Sequence, residues 1–343
     1  MRTTLLIALL LTVFSLGKAQ NHPSSYLCYK TSNPINIDGL IDDLEWGDVN
    51  WSESFVDIEG DTKPLPTYKT HVKMAWDEDY FYVAAELNEP NVWANLKQRD
   101  TVIFYDNDFE VFIDPQGDNH RYYEFEMNAL NTIWDLLIAK PYRDGAPAIN
   151  AWDIKGLKSA VAIYGTINDS SDKDDKWTLE IAFPWEVLKQ CAPEQRKPKN
   201  GEQWRVNFSR VNWDVKAEKG AYAKCIDPET GKSYPEHNWV WSPQGVVAMH
   251  QPETWGYVQF STTKAGEGSD AFKIDEDYSL KMELVRLYNQ QKQYFNKNTS
   301  YQKKLESDYP IQVEITKKQF LIYAKGESGK IWYIDHESRI WSE

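Results

Sequence analysis

The chain has 343 residues, which suits one large or two modest domains with a sizeable core. It carries 52 acidic against 38 basic residues, and this net charge of −14 at pH 7 argues against nucleic acid and anionic membrane surfaces as partners. Three cysteines are too few for a disulfide-held scaffold, and their spacing matches no zinc or haem-attachment motif.

Residues 1–19 have the pattern of a removed secretory signal. Arg2 supplies a positive start, residues 5–16 form an apolar run, and Gly17-Lys18-Ala19 places small residues where a signal peptidase cuts. The apolar run is shorter than the about 20 residues that span a bilayer, and no second long apolar stretch follows it. We therefore expect an exported protein, periplasmic or extracellular, without membrane insertion.

Alternation of apolar and polar residues recurs from about residue 70 to residue 260 and predicts a succession of β-strands. Residues 71–76 and 80–87 form a predicted hairpin, and residues 109–114 and 122–129 each have one apolar and one polar face. Further strands are predicted at 160–164, 177–183, 205–213 and 255–260, and Pro184 fits the first turn of a short helix. Many strands with little helix predict an all-β fold, an antiparallel β-sandwich, over residues 20–262.

The composition changes beyond residue 262. Residues 263–270 form a linker rich in Gly, Ser and Thr, and residues 278–292 have a helical stripe of Leu280, Leu284 and Leu287. Residues 312–323 and 330–341 then predict a hairpin. We expect residues 263–343 to form a helix-plus-hairpin extension, which is either an appended structural element or a second binding face.

Five segments in order resemble the family 9 carbohydrate-binding modules, which belong to a wider group of DOMON-like sandwiches with haem- and catechol-binding relatives. They are residues 37–46 (IDGLIDDLEW), 75–83 (AWDEDYFYV), 106–114 (DNDFEVFID), 177–185 (WTLEIAFPW) and 250–256 (HQPETWG). The resemblance implies a β-sandwich that binds a glycan or small sugar and accompanies glycan-degrading enzymes. It also implies that calcium often supports the loops.

Sugar-binding members of the family clamp a terminal sugar between two tryptophans. At the first clamp position this sequence offers Phe104 and Tyr105, and at the second it has Met249, which is not aromatic. A basic residue that holds the sugar hydroxyls is replaced near Glu124, whereas the family's acidic Glu110 is kept. The resemblance therefore implies the fold more strongly than one particular sugar.

Polar residues of two successive predicted strands indicate a candidate ligand face. If the strands pair, Glu110 meets Glu124, Glu126 and Asn128, with Trp134 as a flanking ring. Carboxylates accept hydrogen bonds from sugar hydroxyls, and an aromatic ring covers the C–H side of a sugar. The alternative is an ordinary solvated sheet face, on which alternating Glu is common.

Two acidic clusters are candidate calcium sites, since calcium takes several carboxylate and carbonyl oxygens. One contains Asp38 and Asp42, and the other contains Asp106 and Asp108; either could equally be a solvated acidic turn. Haem is not favoured, because the adjacent Met249 and His250 would point to opposite faces of a strand.

These observations favour an exported, non-catalytic carbohydrate-binding protein associated with glycan degradation. One alternative is a glycoside hydrolase or related enzyme acting on O-glycosyl bonds, with the same carboxylates as its catalytic pair. The other alternative is a protein-interaction module that has lost sugar binding, which the Met249 departure would explain.

Overall fold

The computed structural model describes residues 22–343, so the predicted signal segment at residues 1–19 lies outside the described part of the chain. The strands are β1 (Ser25–Lys30), β2 (Val56–Asp57), β3 (Thr70–Trp76), β4 (Tyr80–Asn88), β5 (Asp108–Asp114), β6 (Tyr122–Asn128), β7 (Ile133–Ile138), β8 (Ala148–Ile149), β9 (Lys158–Tyr164), β10 (Lys176–Pro184), β11 (Gln203–Asn212), β12 (Val215–Glu218), β13 (Ala221–Lys224), β14 (His237–Val240), β15 (Gly256–Lys264), β16 (Gln312–Ile315), β17 (Phe320–Lys325), β18 (Ile331–Asp335) and β19 (Ile340–Ser342). The helices are α1 (Leu44–Gly47), α2 (Trp185–Leu188) and α3 (Tyr278–Asn298). No helix between residues 22 and 343 is long and apolar enough to cross a bilayer.

One large sheet folds back on itself to make the predicted sandwich. Its strands run in the order β8-β7-β6-β5-β11-β15-β1-β3-β4-β10-β9, and β14 with β2 branches from β11. Aromatic side chains join the two halves across the interior: the ring centroids of Phe125 and Phe183 lie 5.4 Å apart, and those of Trp185 and Trp204 lie 5.7 Å apart. The prediction of a β-sandwich followed by a helix and small strands is confirmed.

The sheet is mixed rather than purely antiparallel. Strand β1 pairs in parallel with both β15 and β3, while the other pairs of the large sheet are antiparallel within the described residues. Strand β11 forks, since residues 203–206 pair with β15 and residues 209–212 pair with β14. The fork separates β14 from β15 along the edge of β11 that faces away from β5.

A buried carboxylate ties the opening segment of the domain to the sheet. Glu180 on β10 accepts hydrogen bonds from the backbone N–H groups of Asp38 (3.0 Å) and Gly39 (2.9 Å) and from the indole of Trp46 (2.7 Å). Gly39 has φ +90°, and a Cβ there would lie 2.6 Å from the backbone carbon of Val161. The segment of residues 37–46 is therefore held against the sheet by Glu180 and by the close approach of Gly39 to β9.

The C-terminal extension has its own small core. The predicted stripe of Leu280, Leu284 and Leu287 on α3 is buried against Ile322 and Ile334 of a sheet in the order β16-β17-β18-β19. The predicted hairpin is thus part of a four-stranded sheet, because short turns divide each of its two arms.

Polar contacts dock this extension onto the sandwich. The carboxylate of Asp144 accepts hydrogen bonds from Tyr288 (2.6 Å), Ser338 (2.7 Å) and Lys292 (2.9 Å). Burial alone would raise the pKa of Asp144, but these hydrogen bonds lower it overall. The extension therefore packs on the sandwich through charge-assisted contacts as well as through apolar surface.

Candidate functional site

A cavity of about 190 Å³ lies on the outer face of β5 and β6. It is smaller than the roughly 300–1,000 Å³ of pockets that enclose drug-sized ligands, so it suits one small unit such as a sugar ring. Its walls come from the two strands, from short turns at residues 103–105 and 142–144, and from the region of β14 and residues 249–250. The lining residues are Phe104, Glu110, Phe112, Glu124, Glu126, Trp134, Tyr142, Val211, Glu236, Asn238, Met249 and His250.

The strand register brings the predicted acids together. Glu110 on β5 lies directly opposite Glu126 on β6, and Glu126 in turn lies opposite Trp134 on β7. Glu124, two residues before Glu126, shares its face. This face is covered and not solvated: Glu110, Glu124 and Glu126 are only 4%, 5% and 1% exposed.

Several buried polar atoms of this face have no hydrogen-bond partner among the residues that the structure describes. They are Glu110 Oε2, Glu124 Oε2, Asp108 Oδ2 and the indole Nε1 of Trp134. Leaving one buried polar atom unpaired costs about 1–3 kcal/mol, so such atoms are rare in folded proteins. Their concentration around one cavity indicates a surface built to be completed by a ligand.

Burial controls the ionisation of these acids. It raises the pKa of Glu110 to about 7, although the Ser209 hydroxyl acts in the opposite direction, and the charge of Glu236 adds to the rise. Burial, and after it the charge of Glu110, raises the pKa values of Asp108, Glu124 and Glu126 well above their ordinary range. In the ligand-free protein at neutral pH the cluster therefore retains protons.

His250 closes one side of the cavity as a neutral ring. Its Nδ1 is 2.8 Å from the Tyr122 hydroxyl, and its Nε2 is 3.6 Å from Glu124 Oε1. Burial, and after it the charge of Arg143, lowers the pKa of His250 to about 4. The Tyr142 ring packs edge-on against it at 4.2 Å and is 44% exposed, so Tyr142 lies at the mouth of the cavity.

The structure separates the sequence-predicted site residues into two groups. Phe104, Glu110, Glu124, Glu126 and Trp134 line the cavity together. Tyr105 does not line it: its ring is 57% exposed and lies 5.0 Å from that of Phe104.

The side chain of Asn128 is used in hydrogen bonds within the fold. Its amide donates to Leu96 O (2.9 Å) and to Asp106 Oδ2 (3.0 Å), and its Oδ1 accepts from the backbone of Leu130 and Thr132. Because these contacts use its amide group inside the protein, we leave Asn128 out of the proposed site.

Sequence reasoning missed Tyr142, Glu236 and Asn238. None of them belongs to an alternating stretch that was assigned to this face, so no periodic signal connected them with β5. It also placed Met249 and His250 on opposite faces of a strand. Residues 249–250 are not in a strand, and both side chains line the cavity.

The first predicted calcium pair, Asp38 and Asp42, lies in the turn before α1. Asp38 uses both oxygens inside this turn, accepting from Leu40 N (2.9 Å) and Asn36 Nδ2 (2.8 Å). Neither Asp38 nor the exposed Asp42 joins a group of three acids within the described chain. Calcium at Asp38 and Asp42 stays a prediction.

The second predicted calcium pair is split. Asp106 Oδ2 accepts from the backbone of Asn95 and Leu96, both at 2.8 Å, as well as from Asn128. Asp108 instead groups with Glu110 and Glu126, each of which offers an oxygen within 4.8 Å of the other two. A cation at Asp108 remains a proposal, whereas Asp106 serves to fix the backbone.

Comparison with known proteins agrees with this architecture. A family model described as carbohydrate family 9 binding domain-like matches residues 37–259, well over half of the chain. A crystal structure from Bacteroides uniformis, described as that of a carbohydrate-binding protein, is 17% identical with a TM-score of 0.50, and the match covers 70% of this chain and 100% of that one. A family 9 carbohydrate-binding module from Caldicellulosiruptor kristjanssonii, solved with cellotriose, is 15% identical with a TM-score of 0.43, and the match covers 72% of this chain and 99% of that one.

Endo-1,4-beta-xylanase A of Thermoanaerobacterium saccharolyticum is 23% identical over 198 residues. That match covers 58% of this chain but only 14% of the xylanase. The chain thus corresponds to a small part of that enzyme's length.

Proposed function

Because the chain belongs to the carbohydrate family 9 binding domain-like family, we propose that it is a carbohydrate-binding protein whose ligand occupies the cavity on β5 and β6. The observation that carries the proposal is the set of unpartnered buried atoms around this cavity: Glu110 Oε2, Glu124 Oε2 and Trp134 Nε1. A sugar supplies what these atoms lack, since its hydroxyl groups both donate and accept hydrogen bonds.

The cavity also offers apolar surface of the kind that sugars use. The rings of Phe104, Trp134 and Tyr142 line it, and an aromatic face packs against the C–H side of a sugar ring. Tyr142 supplies an aromatic group near Met249, where the family's second clamp ring is missing. The chain therefore combines hydrogen-bonding acids with stacking rings in a space for one sugar unit.

We favour binding over glycoside hydrolysis. A glycosidase needs two carboxyl groups with different roles, one protonated acid and one ionised base or nucleophile. Here burial raises the pKa of Glu110 to about 7 and the pKa values of Glu124 and Glu126 well above their ordinary range, and no cationic side chain lines the described cavity. The preference for binding rests on the match of residues 37–259 to a family of carbohydrate-binding domains.

We further propose that the protein acts after export, beside glycan-degrading enzymes. The pattern of residues 1–19 supports export, and the similarity to part of a xylanase supports the association with glycan degradation. Neutral plant-type oligosaccharides, including cello- and xylo-oligomers, are accordingly the first ligands to test.

A glycan array with the exported chain and its Glu110→Ala variant tests this function. We expect a specific hit, and about tenfold weaker binding by the variant because a hydrogen bond to the sugar is lost. The variant should unfold at the same or a higher temperature, since it removes a desolvated carboxyl group. Glu186→Ala is the matched control, because the Glu186 side chain is 82% exposed and far from the cavity lining.

A silent array, measured with and without calcium, would contradict the proposal and favour a protein-interaction module. Turnover of an oligosaccharide that disappears in Glu110→Gln would instead favour the glycosidase alternative.

A further inference from the structure

The cavity has an excess of acidic groups and no matching basic group. Four glutamates line it, Glu110, Glu124, Glu126 and Glu236, and the lining contains no Lys or Arg between residues 22 and 343. His250 cannot balance them, because its lowered pKa keeps the ring neutral at pH 7. A neutral sugar leaves these carboxyl groups protonated, whereas a cationic ligand can pair with them as carboxylates.

Arg143 and Lys224, whose charges act on the lining residues His250 and Glu236, are engaged in other contacts. Arg143 forms a bidentate ion pair with Glu253, in which Nη1 lies 2.7 Å from Oε1 and Nη2 lies 2.9 Å from Oε2. Lys224 Nζ lies 3.2 Å from the centre of the Trp213 ring. Neither residue lines the cavity.

Two of the lining acids are spaced for one small cation together with Asp108, which lies two residues before Glu110 on the same face of β5. Asp108, Glu110 and Glu126 each offer an oxygen within 4.8 Å of the other two. A nitrogen at the centre of such a triangle lies roughly 2.8 Å from each oxygen, which is the usual length of an N⁺–H···O⁻ hydrogen bond. An ammonium group carries three donors and no acceptor, so one donor can meet each carboxylate. The free oxygens Asp108 Oδ2 and Glu110 Oε2 are available for this purpose.

Aromatic rings around these acids favour an organic cation over a bare metal ion. Phe104, Trp134 and Tyr142 line the same cavity. Ring faces attract ammonium groups and pack on sugar C–H surfaces, whereas calcium takes six to eight oxygen ligands. The triangle offers one oxygen from each of three acids, and the rings of Phe104 and Trp134 add no oxygen ligand that would complete a calcium shell.

We propose that the sugar bound in this cavity carries a free ammonium group, as a glucosamine unit does, with the ammonium held among Asp108, Glu110 and Glu126. This inference rests on the proposed carbohydrate-binding function and names the class of sugar.

The ionisation of the site gives the proposal a distinctive pH dependence. In the free protein the raised pKa values favour protonated carboxyl groups, whereas a bound ammonium favours carboxylates. Binding therefore releases protons, and affinity rises with pH from about 5.5 to 7.5 until the sugar amine itself loses its proton. The other titratable groups that face the site are Glu124, Glu236, His250, Tyr122 and Tyr142. His250 stays neutral throughout this pH range because its pKa is lowered. Tyr122 and Tyr142 also stay neutral, because burial raises their pKa values.

Calorimetry on the exported chain with three oligomers of equal length tests the proposal: glucosamine, N-acetylglucosamine and β-1,4-linked glucose, each in 150 mM salt. We expect the glucosamine oligomer to bind about tenfold more tightly than the other two and to release protons. Glu110→Gln should weaken glucosamine binding by about tenfold and change glucose binding by less than about threefold, since the amide keeps hydrogen bonding but loses charge. Glu186→Gln controls for general attraction of a cation to an acidic protein and should bind like the wild type.

The remaining outcomes are distinguishable. Equal or tighter binding of the neutral oligomers would overturn the ammonium inference and leave the proposed function standing. Binding of none of the three, together with a silent glycan array, would contradict the proposed function itself. Tight binding of calcium alone that is lost in Glu126→Gln and competes with the glucosamine oligomer would overturn the inference in favour of a metal site.

Discussion

Replacing Glu89 with Ala is expected to lower the free energy of unfolding by about 3–5 kcal/mol, because it leaves a buried guanidinium without its counter-charge. Arg210 is 1% exposed and Glu89 is 2% exposed, and Arg210 Nη2 lies 2.7 Å from Glu89 Oε2. Burial raises the pKa of Glu89 and lowers that of Arg210, so desolvation works against both charges. Chemical denaturation at pH 7 measures the loss.

The same pair should tolerate joint replacement by apolar residues. In the double variant Glu89→Leu, Arg210→Met no buried charge remains, so we expect most of the lost stability to return. Glu86→Ala is the matched control: its pair with Lys176 is about a quarter exposed on both sides and should contribute less than about 1 kcal/mol. A Glu89→Ala variant within about 1 kcal/mol of the wild type would show that the buried pair is not needed for stability.

Replacing Phe104 with Ala is expected to weaken sugar binding by about 30-fold, or about 2 kcal/mol, because it removes an aromatic ring that lines the cavity. Phe104 lines the cavity and is held in place by a hydrogen bond from its backbone N–H to Glu126 Oε2 at 3.2 Å. That backbone contact survives the substitution. Calorimetry with the tightest-binding oligosaccharide from the glycan array measures the change.

Tyr105→Ala provides the paired control for Phe104→Ala. The two residues are adjacent, yet Tyr105 is 57% exposed and lies outside the cavity lining. We expect its removal to change the affinity by less than about threefold. A larger effect of Tyr105→Ala than of Phe104→Ala would move the sugar from the cavity to the outer surface.

The strands and the acids of the site could be predicted because they depend on local alternation. Phe109, Val111 and Ile113 point into the core, so Glu110 and Phe112 must share the opposite face. Pairing of β5 with β6 then brings Glu110 beside Glu126, and Trp134 follows on the next strand. Each step needed only a two-residue period and short connections.

The rest of the site depends on contacts between distant parts of the chain. Tyr142, in the turn at residues 142–144, packs against His250, which lies beside Glu124, and no local pattern encodes that closure. The burial of Glu124 could not be predicted for the same reason. Alternation of apolar and polar residues is equally compatible with a buried polar face and with a solvated one. The parallel pairing of β1 was hidden too, because alternation shows that a strand exists but not which neighbours it joins.

The indole N–H resonance of Trp134 provides the most direct test of the central claim that the sugar lies in this cavity. Its Nε1 is buried without a partner among the described residues, so a bound hydroxyl that accepts its hydrogen bond must shift that resonance. Titration of ¹⁵N-labelled protein, with the peak assigned by its loss in Trp134→Phe, should show a shift that saturates with the calorimetric affinity. Shifts confined to Trp332 or Trp341 of the C-terminal extension, with Trp134 unmoved, would contradict the account and place the sugar on the extension.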